Sequence, residues 1–325
     1  MGQAPKPPLT IWAVSDGRAG IEAQAEGLAL AVAQLCPAQV CLKRIAWIEP
    51  LGRLPWRMIP PRLGLQPASA IGPPWPDIWI AAGRATLPLS TRVRRWSRGK
   101  TFVVQTQDPR TALAAFDLVI PPAHDRLEGP NVFPIVGAPN RLSAERLASE
   151  LARFEDRIAG LPKPRIALIV GGTSKAFDLP LARAAEMADE VARAVGATGG
   201  SLLVSFTRRT PEAARLLLTE RLGALPGWIW DGTGDNPYFA FLAAADFILV
   251  TEDSTNLATD AAATGKPVHV LKMVGASEKL ARFHQDLKRR GIARPFVGAF
   301  ETVSYPPLDE TSRAAREVLR RFDAR

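Results

Sequence analysis

Cysteine is nearly absent. Cys36 and Cys41 are the only two in 325 residues, too few for a disulfide framework. Histidine is almost as scarce, and His124, His269 and His284 follow no zinc-ligand spacing, so no metal is expected. Long hydrophobic runs are missing too. The most apolar stretch, Phe239 to Val250, spans twelve residues and contains Asp246, short of the roughly 20 apolar residues a membrane-spanning helix needs. The opening residues Met1 to Thr10 lack the apolar core of a signal peptide, and Lys6 stands where the myristoylation pattern beginning at Gly2 wants Ser or Thr. The expectation is a cytoplasmic protein that crosses no bilayer. With 47% apolar and 22% charged residues, the chain has ordinary globular composition.

What is abundant is arginine. Of 41 basic residues 32 are Arg, and the net charge is +9. Residues 1–150 hold a surplus of six positive charges and residues 151–325 a surplus of three. A basic first half suits anionic partners such as phosphates or an acidic membrane surface, although an arginine-rich coding bias gives the same count. The Pro- and Gly-rich stretch from Pro50 to Pro76 sets Leu54, Trp56, Met58 and Ile59 among Arg53, Arg57 and Arg62. It reads either as a packed excursion or as a surface for a membrane or partner.

Short apolar runs alternate with helical patterns, the signature of βα units and parallel sheets. Strands are expected at 9–14, 77–82, 101–105 and 117–120, and helices at about 21–35 and 87–96. A helical segment at 143–159 and the linker Leu161-Pro162-Lys163-Pro164 precede a second alternation. There, strands are expected at 165–170, 201–206, 247–250 and 267–271. Helices are expected at 181–195, 211–222, about 254–263, 277–290 and 309–322, the second with Thr210 as N-cap and Pro211 at N1. No internal repeat of solenoid length is present. The fold class is α/β, two Rossmann-like domains in tandem with parallel sheets, over 1–160 and 161–300, followed by 301–325.

Ligands of parallel sheets bind beyond the carboxyl ends of the strands, so those loops come first. Ser15-Asp16-Gly17-Arg18-Ala19-Gly20 leads into a helix whose free N–H groups favour an anion, but it lacks the Gly-x-Gly-x-x-Gly order of dinucleotide folds. Gly171-Gly172-Thr173-Ser174-Lys175 offers close backbone approach, hydroxyls and a lysine to a phosphate without forming a Walker A sequence. Arg208 and Arg209, at a helix N-terminus, make a guanidinium fork for phosphate oxygens, or a solvated pair. Thr251-Glu252-Asp253-Ser254-Thr255-Asn256 gives the clearest signal, a hydroxyl cluster at a helix N-terminus with Asp260 further in, an acceptor suited to a ribose diol.

Taken in order, Asp16-Gly17-Arg18-Ala19-Gly20 with Gln24, Gly171 to Lys175, Thr207-Arg208-Arg209-Thr210-Pro211, Asp235-Asn236-Pro237-Tyr238, and Thr251 to Ser254 through Ala263-Thr264-Gly265-Lys266-Pro267-Val268 carry a resemblance. Together they resemble the plant elongated-mitochondria (mitochondrial fission) family and its bacterial relatives, over nearly the whole chain. At a lower level the second half is similar to GT-B-type glycosyltransferases.

The resemblance implies two Rossmann-like domains facing across a cleft (GT-B-like), with a C-terminal helix crossing back to the first domain. It further implies a nucleotide-sugar donor on the second, where Gly172, Thr173, Arg208, Ser254 and Thr255 hold the diphosphate and Asp260 the ribose, with Gly171, Ser174, Arg209 and Asp253 as further candidate binding residues. This chain has Asp260 where the family commonly has Glu, and Ser254-Thr255-Asn256-Leu257 where much of it has Ser-Val-Ser-Met. Candidates for the catalytic base of an acceptor hydroxyl are Asp16, or His124 with Asp125, unless His124 only ties its loop to its neighbours. Gly83-Arg84 and Gln107-Asp108 are candidates for the acceptor side. The expected partner is a nucleoside-diphosphate sugar, with no cofactor and no nucleic acid. Peripheral contact with an anionic membrane and a lipid-linked or envelope-associated acceptor complete the expectation. A non-catalytic membrane adaptor and a nucleotide-sugar epimerase are the alternatives.

Overall fold

The computed structural model describes residues 7–61 and 63–325. Gly2, Lys6 and Arg62, used in the sequence reading, lie outside the described residues. Contacts divide the chain into two compact units, Met1–Arg141 with Asp309–Arg325, and Leu142–Leu308.

The first unit is built on β1 (Leu9–Ser15), α1 (Ala19–Ala33), β2 (Ala38–Arg44), β3 (Ile78–Ala81), α2 (Leu87–Trp96), β4 (Phe102–Gln105) and β5 (Leu118–Val119). Its sheet runs β2-β1-β3-β4-β5 with every pair parallel. The apolar run of β1 lacks alternation because both of its faces are covered. Ile11 and Ala13 pack toward α1, while Trp12 and Val14 pack with Trp79, Leu89 and Val93 on the other face. The chain's last helix, Glu310–Asp323, closes the α1 side through Ala314, Ala315 and Val318. Strand β2 went unread in the sequence because it is the edge strand, polar on alternate positions and nowhere fully buried.

The stretch 50–76 forms three single turns of 3₁₀ helix, at Leu51–Arg53, Trp56–Met58 and Pro67–Ser69. Trp56, Leu65, Ile71 and Trp75 pack onto the α2 side of the core and Ile59 is buried, so the base of this excursion is packed. Met58 and Leu63 nevertheless remain exposed.

The second unit comprises α3 (Ala144–Arg153), α4 (Glu155–Ile158), β6 (Arg165–Val170), β7 (Phe177–Asp178), α5 (Leu181–Thr198), β8 (Ser201–Phe206), α6 (Glu212–Leu222), β9 (Gly227–Ile229), α7 (Tyr238–Ala244), β10 (Phe247–Thr251), α8 (Thr255–Ala263), β11 (Val268–Leu271), β12 (Val274–Gly275), α9 (Glu278–Arg289) and β13 (Ala293–Pro295). Six strands form a parallel sheet in the order β13-β11-β10-β6-β8-β9, and β7 pairs with β12 antiparallel. Helix α3, capped by Ser143 accepting from Arg146 N, packs on α7, which is why the segment after Arg141 groups with this unit.

One helix was not expected and one cap changes. The apolar stretch 239–250 is a helix and a strand broken at Asp246, whose carboxylate accepts from Arg165 N at 2.8 Å. Thr210 does not cap α6. The helix starts one residue later with Pro211 as its N-cap, because the Thr210 hydroxyl is drawn to the carbonyls of Gly171 and, at 3.1 Å, Val170.

Candidate functional site

Neighbouring parallel strands end together, and β6, β8 and β10 contribute three adjacent loops to the carboxyl edge of the second unit's sheet. Asp253 sits where they meet. Gly171 N donates to Thr251 Oγ1 and the Thr251 hydroxyl to Asp253 Oδ1, each at 2.7 Å. Gly172 N donates to Asp253 Oδ2 at 3.2 Å. Arg209 Nη2 lies 2.6 Å from the same oxygen, and its Nη1 donates to Gly172 O at 3.3 Å. The Asp253 side chain has no exposed surface, whereas that of Arg209 keeps 41%. A carboxylate this deep is tolerable only because it is paired and fully hydrogen-bonded.

The two glycines owe their identity to this knot. A Cβ on Gly171 would stand 2.0 Å from Asp253 Oδ1, and one on Gly172 would stand 1.9 Å from Arg209 O. Both distances are far inside van der Waals contact. The close approach foreseen from the sequence is therefore to protein atoms of the neighbouring loops.

The other predicted residues around it divide into engaged and open groups. Ser174 Oγ accepts from Ala176 N and Phe177 N at 3.2 and 3.1 Å, and the Thr173 hydroxyl donates to Asp178 at 2.7 Å, so both serve their own turn. Lys175 and Arg208 are exposed and form no ion pair among the described residues. Ser254 is the N-cap of α8, accepting from Leu257 N at 3.4 Å, and Thr255 is the first helical residue. Asp260, further along α8, accepts the Tyr238 hydroxyl at 2.8 Å. Tyr238 was legible in its motif but had no role there. Its hydroxyl holds one oxygen of Asp260.

Glu252 was overlooked. Its carboxylate takes Lys272 Nζ at 2.8 Å and Met273 N at 2.7 Å, and its carbonyl accepts from His284 Nε2 at 2.9 Å. Since a carbonyl only accepts, Nε2 of His284 carries the proton, and burial lowers the pKa of this imidazole. A cavity of about 310 Å³ lies alongside, lined by Glu252, Lys272, Ser277, His284, Lys288 and Arg294 among others. Lys266 turns away from any ligand. Its ammonium donates to Leu242 O at 2.9 Å and to Ala243 O, closing the end of α7, and burial pushes its pKa down to about 8.

In the first unit, Asp16 is engaged by Arg18, with Oδ2 accepting from Nε at 2.8 Å and Oδ1 from the Arg18 N–H at 3.2 Å. His124 and Asp125 share the turn Ala123–Asp125. Both side chains are covered, and Nε2 stands 3.9 Å from Asp125 Oδ1, an ion-pair separation beyond hydrogen-bond length. Glu22, one turn into α1, is a buried acid that the sequence reading passed over. Arg44 grips it at 2.7 and 2.9 Å and holds its carboxyl below the usual range.

Comparison with known proteins accords with this framework. Over 277 residues the chain is 32% identical to the mitochondrial fission protein ELM1 of Arabidopsis thaliana, an alignment covering 77% of this chain and 65% of the plant protein. The chain thus spans a little under two thirds of that relative's length. It is 26% identical over 283 residues to an uncharacterized protein of Rickettsia prowazekii (strain Madrid E), covering 75% of this chain and 79% of the other. Among solved structures, the UDP-GlcNAc 2-epimerase of Methanocaldococcus jannaschii superposes with a TM-score of 0.56 at 12% identity, covering 97% of this chain and 100% of that one. Arabidopsis thaliana UGT89C1 complexed with UDP superposes with a TM-score of 0.51 at 12% identity, covering 95% and 90%. These likenesses are of fold alone, two Rossmann-type units with parallel sheets. The model of the family described as mitochondrial fission ELM1 matches residues 19–322, and the chain belongs to that family.

Proposed function

We propose that the carboxyl edge of the second unit binds the diphosphate of a nucleotide sugar and that the chain is a metal-independent glycosyltransferase. The observation that carries this reading is the convergence of the β6, β8 and β10 loops beside the N-terminus of α8. The knot around Asp253 fixes those loops. Arg208 and Lys175, exposed and without ion partners among the described residues, supply positive charge for the diphosphate together with the α8 dipole. The Asp260 carboxylate, steadied by Tyr238, receives the ribose hydroxyls. The likeness of the fold to a UDP-complexed protein and to an epimerase of UDP-GlcNAc supports a uridine nucleotide as the first ligand to try.

In the reaction, the bond from the anomeric carbon to the diphosphate oxygen breaks and a bond to the acceptor oxygen forms. The acceptor proton passes to a base, and the nucleoside diphosphate leaves with its charge balanced by Arg208, Lys175 and the helix N-terminus. His124 is the first unit's candidate base in this reading, because Arg18 already engages Asp16. The acceptor is lipid-linked or envelope-associated, met on the cytoplasmic face of a membrane.

Isothermal titration with UDP, dTDP, GDP and ADP tests the donor claim. At least one should bind, and Asp260→Ala should weaken it about tenfold, the equivalent of one lost hydrogen bond of ~1.4 kcal/mol. Binding by none of the four would remove the reading.

A non-catalytic adaptor is the second reading. Family membership with a plant fission protein supports it, and so does the way Asp253 and Arg209 fill the space beside Gly171 and Gly172. An epimerase shares the donor site and would convert the nucleotide sugar without any acceptor, so product analysis separates it.

A further inference from the structure

From Ile48 to Gln107 the sequence contains nine lysines and arginines and two acidic residues, Glu49 and Asp77. Within this stretch the excursion after β2 also presents apolar side chains to water. Leu54 is 38% exposed, Met58 65% and Leu63 83%, with Ile48 at 40% just before it. They stand among cations. Arg53 is mostly exposed and pairs with the exposed Glu49 at 3.0 Å, and the Arg57 guanidinium lies 5.2 Å from the ring centre of Trp56. The base under them is firm, because Ile59 is buried and Trp56, Leu65 and Trp75 belong to the core. A cavity of about 470 Å³ lies against Pro61, Leu65, Ile71, Trp75, Leu89 and Trp96, and among the described residues no charged side chain lines it.

Exposed aliphatic side chains beside Arg53 and Arg57, in the segment 48–63 whose single acidic residue is Glu49, match one chemistry best. Nucleic acid offers phosphates but nothing for Met58 and Leu63. An anionic bilayer offers phosphates and hydrocarbon together. We propose that residues 48–63 dock the first unit on an anionic phospholipid bilayer, with Leu54, Met58 and Leu63 entering the acyl border and Arg53 and Arg57 meeting the headgroup phosphates. The surface is independent of the nucleotide site, so a chain that binds no nucleotide still docks.

Co-sedimentation of the full chain with phosphatidylcholine vesicles, with and without phosphatidylglycerol, tests this. Binding should be about tenfold or more tighter to the anionic vesicles and should weaken as salt is raised. The double variant Met58→Glu, Leu63→Glu changes two exposed side chains. It should melt like the parent, titrate with nucleotide like the parent, and lose vesicle binding by about tenfold or more. Arg53→Gln with Arg57→Gln should keep weak binding and lose the preference for phosphatidylglycerol. Failure of the parent to bind anionic vesicles would overturn the proposal. So would a Met58/Leu63 variant that binds them as the parent does, and capture by an acidic protein in place of vesicles would assign the surface to that partner.

Discussion

Asp253 brings a formal charge to a position with no solvent contact, and four groups receive it: Thr251 Oγ1, Gly172 N, Arg209 Nη2 and, through Thr251, Gly171 N. The partners are unequal, since the carboxylate is covered while the guanidinium is partly exposed. Removing Arg209 therefore leaves a buried, uncompensated charge, whereas removing Asp253 leaves a cation that water can reach. Arg209→Met should cost about 3 kcal/mol of stability and Asp253→Asn about 1–2 kcal/mol, compared by urea denaturation at neutral pH. Equal costs would mean that the knot is less covered than its geometry indicates. Gly171→Ala drives a methyl group into the carboxylate and should destabilise by more than about 2 kcal/mol, or prevent folding. At this scale the sequence signalled close approach through paired glycines and charge through Arg208, Arg209 and Asp253. It could not say that the closest partners of the glycines are an aspartate and an arginine carbonyl from other strands, because both approaches span long separations in the chain.

At the scale of elements, the buried central strands were readable because β1, β6, β8 and β10 are continuous apolar runs covered on both faces. The edges were harder. Strands β2, β9 and β13 are short or polar, and their place comes from hydrogen bonds to a neighbour rather than from their own pattern. The boundary between α7 and β10 is set by Asp246 bonding to Arg165 N on β6, a contact with no local trace. On β11, His269 stacks among Phe247, Phe296 and Phe300 and is 1% exposed, while its Nε2 accepts from Glu301 N at 3.1 Å. Burial first, then Arg294, lowers its pKa from 6.5 to about 4. The unfolded chain therefore binds a proton before the folded one does as pH falls, and stability is lost through the window from about 6.5 to about 4. The loss due to His269 should approach about 3 kcal/mol, with the lowered pKa of His284 adding in the same direction. Thermal melts across that range should be flatter for His269→Gln than for the parent. An identical slope would mean that this imidazole is not desolvated in the folded chain.

At the scale of the whole molecule, five ordered motifs sufficed to connect the sequence with its family, since each lies at a strand end where two Rossmann-type units keep their loops. The motifs fix where chemistry can occur more firmly than which chemistry it is. The Thr173 and Ser174 hydroxyls hold their own turn, Thr210, Thr251 and Arg209 bind the loops to one another, and Arg208, Lys175, the start of α8 and the Tyr238–Asp260 pair lie beside them. Tyr238→Phe should remove the hydroxyl's bond to Asp260 without removing the carboxylate and weaken nucleotide binding by about two- to fivefold, less than Asp260→Ala, by calorimetry. Any nucleotide bound only by the folded chain should also raise the melting temperature in proportion to the logarithm of its concentration. Hydrogen–deuterium exchange of the whole chain with and without saturating UDP locates the ligand directly. The account predicts slowed exchange confined to the loops at 171–175 and 207–210 and to the region of Tyr238 and residues 254–260. Protection elsewhere, with those segments unchanged while UDP is bound, would contradict it.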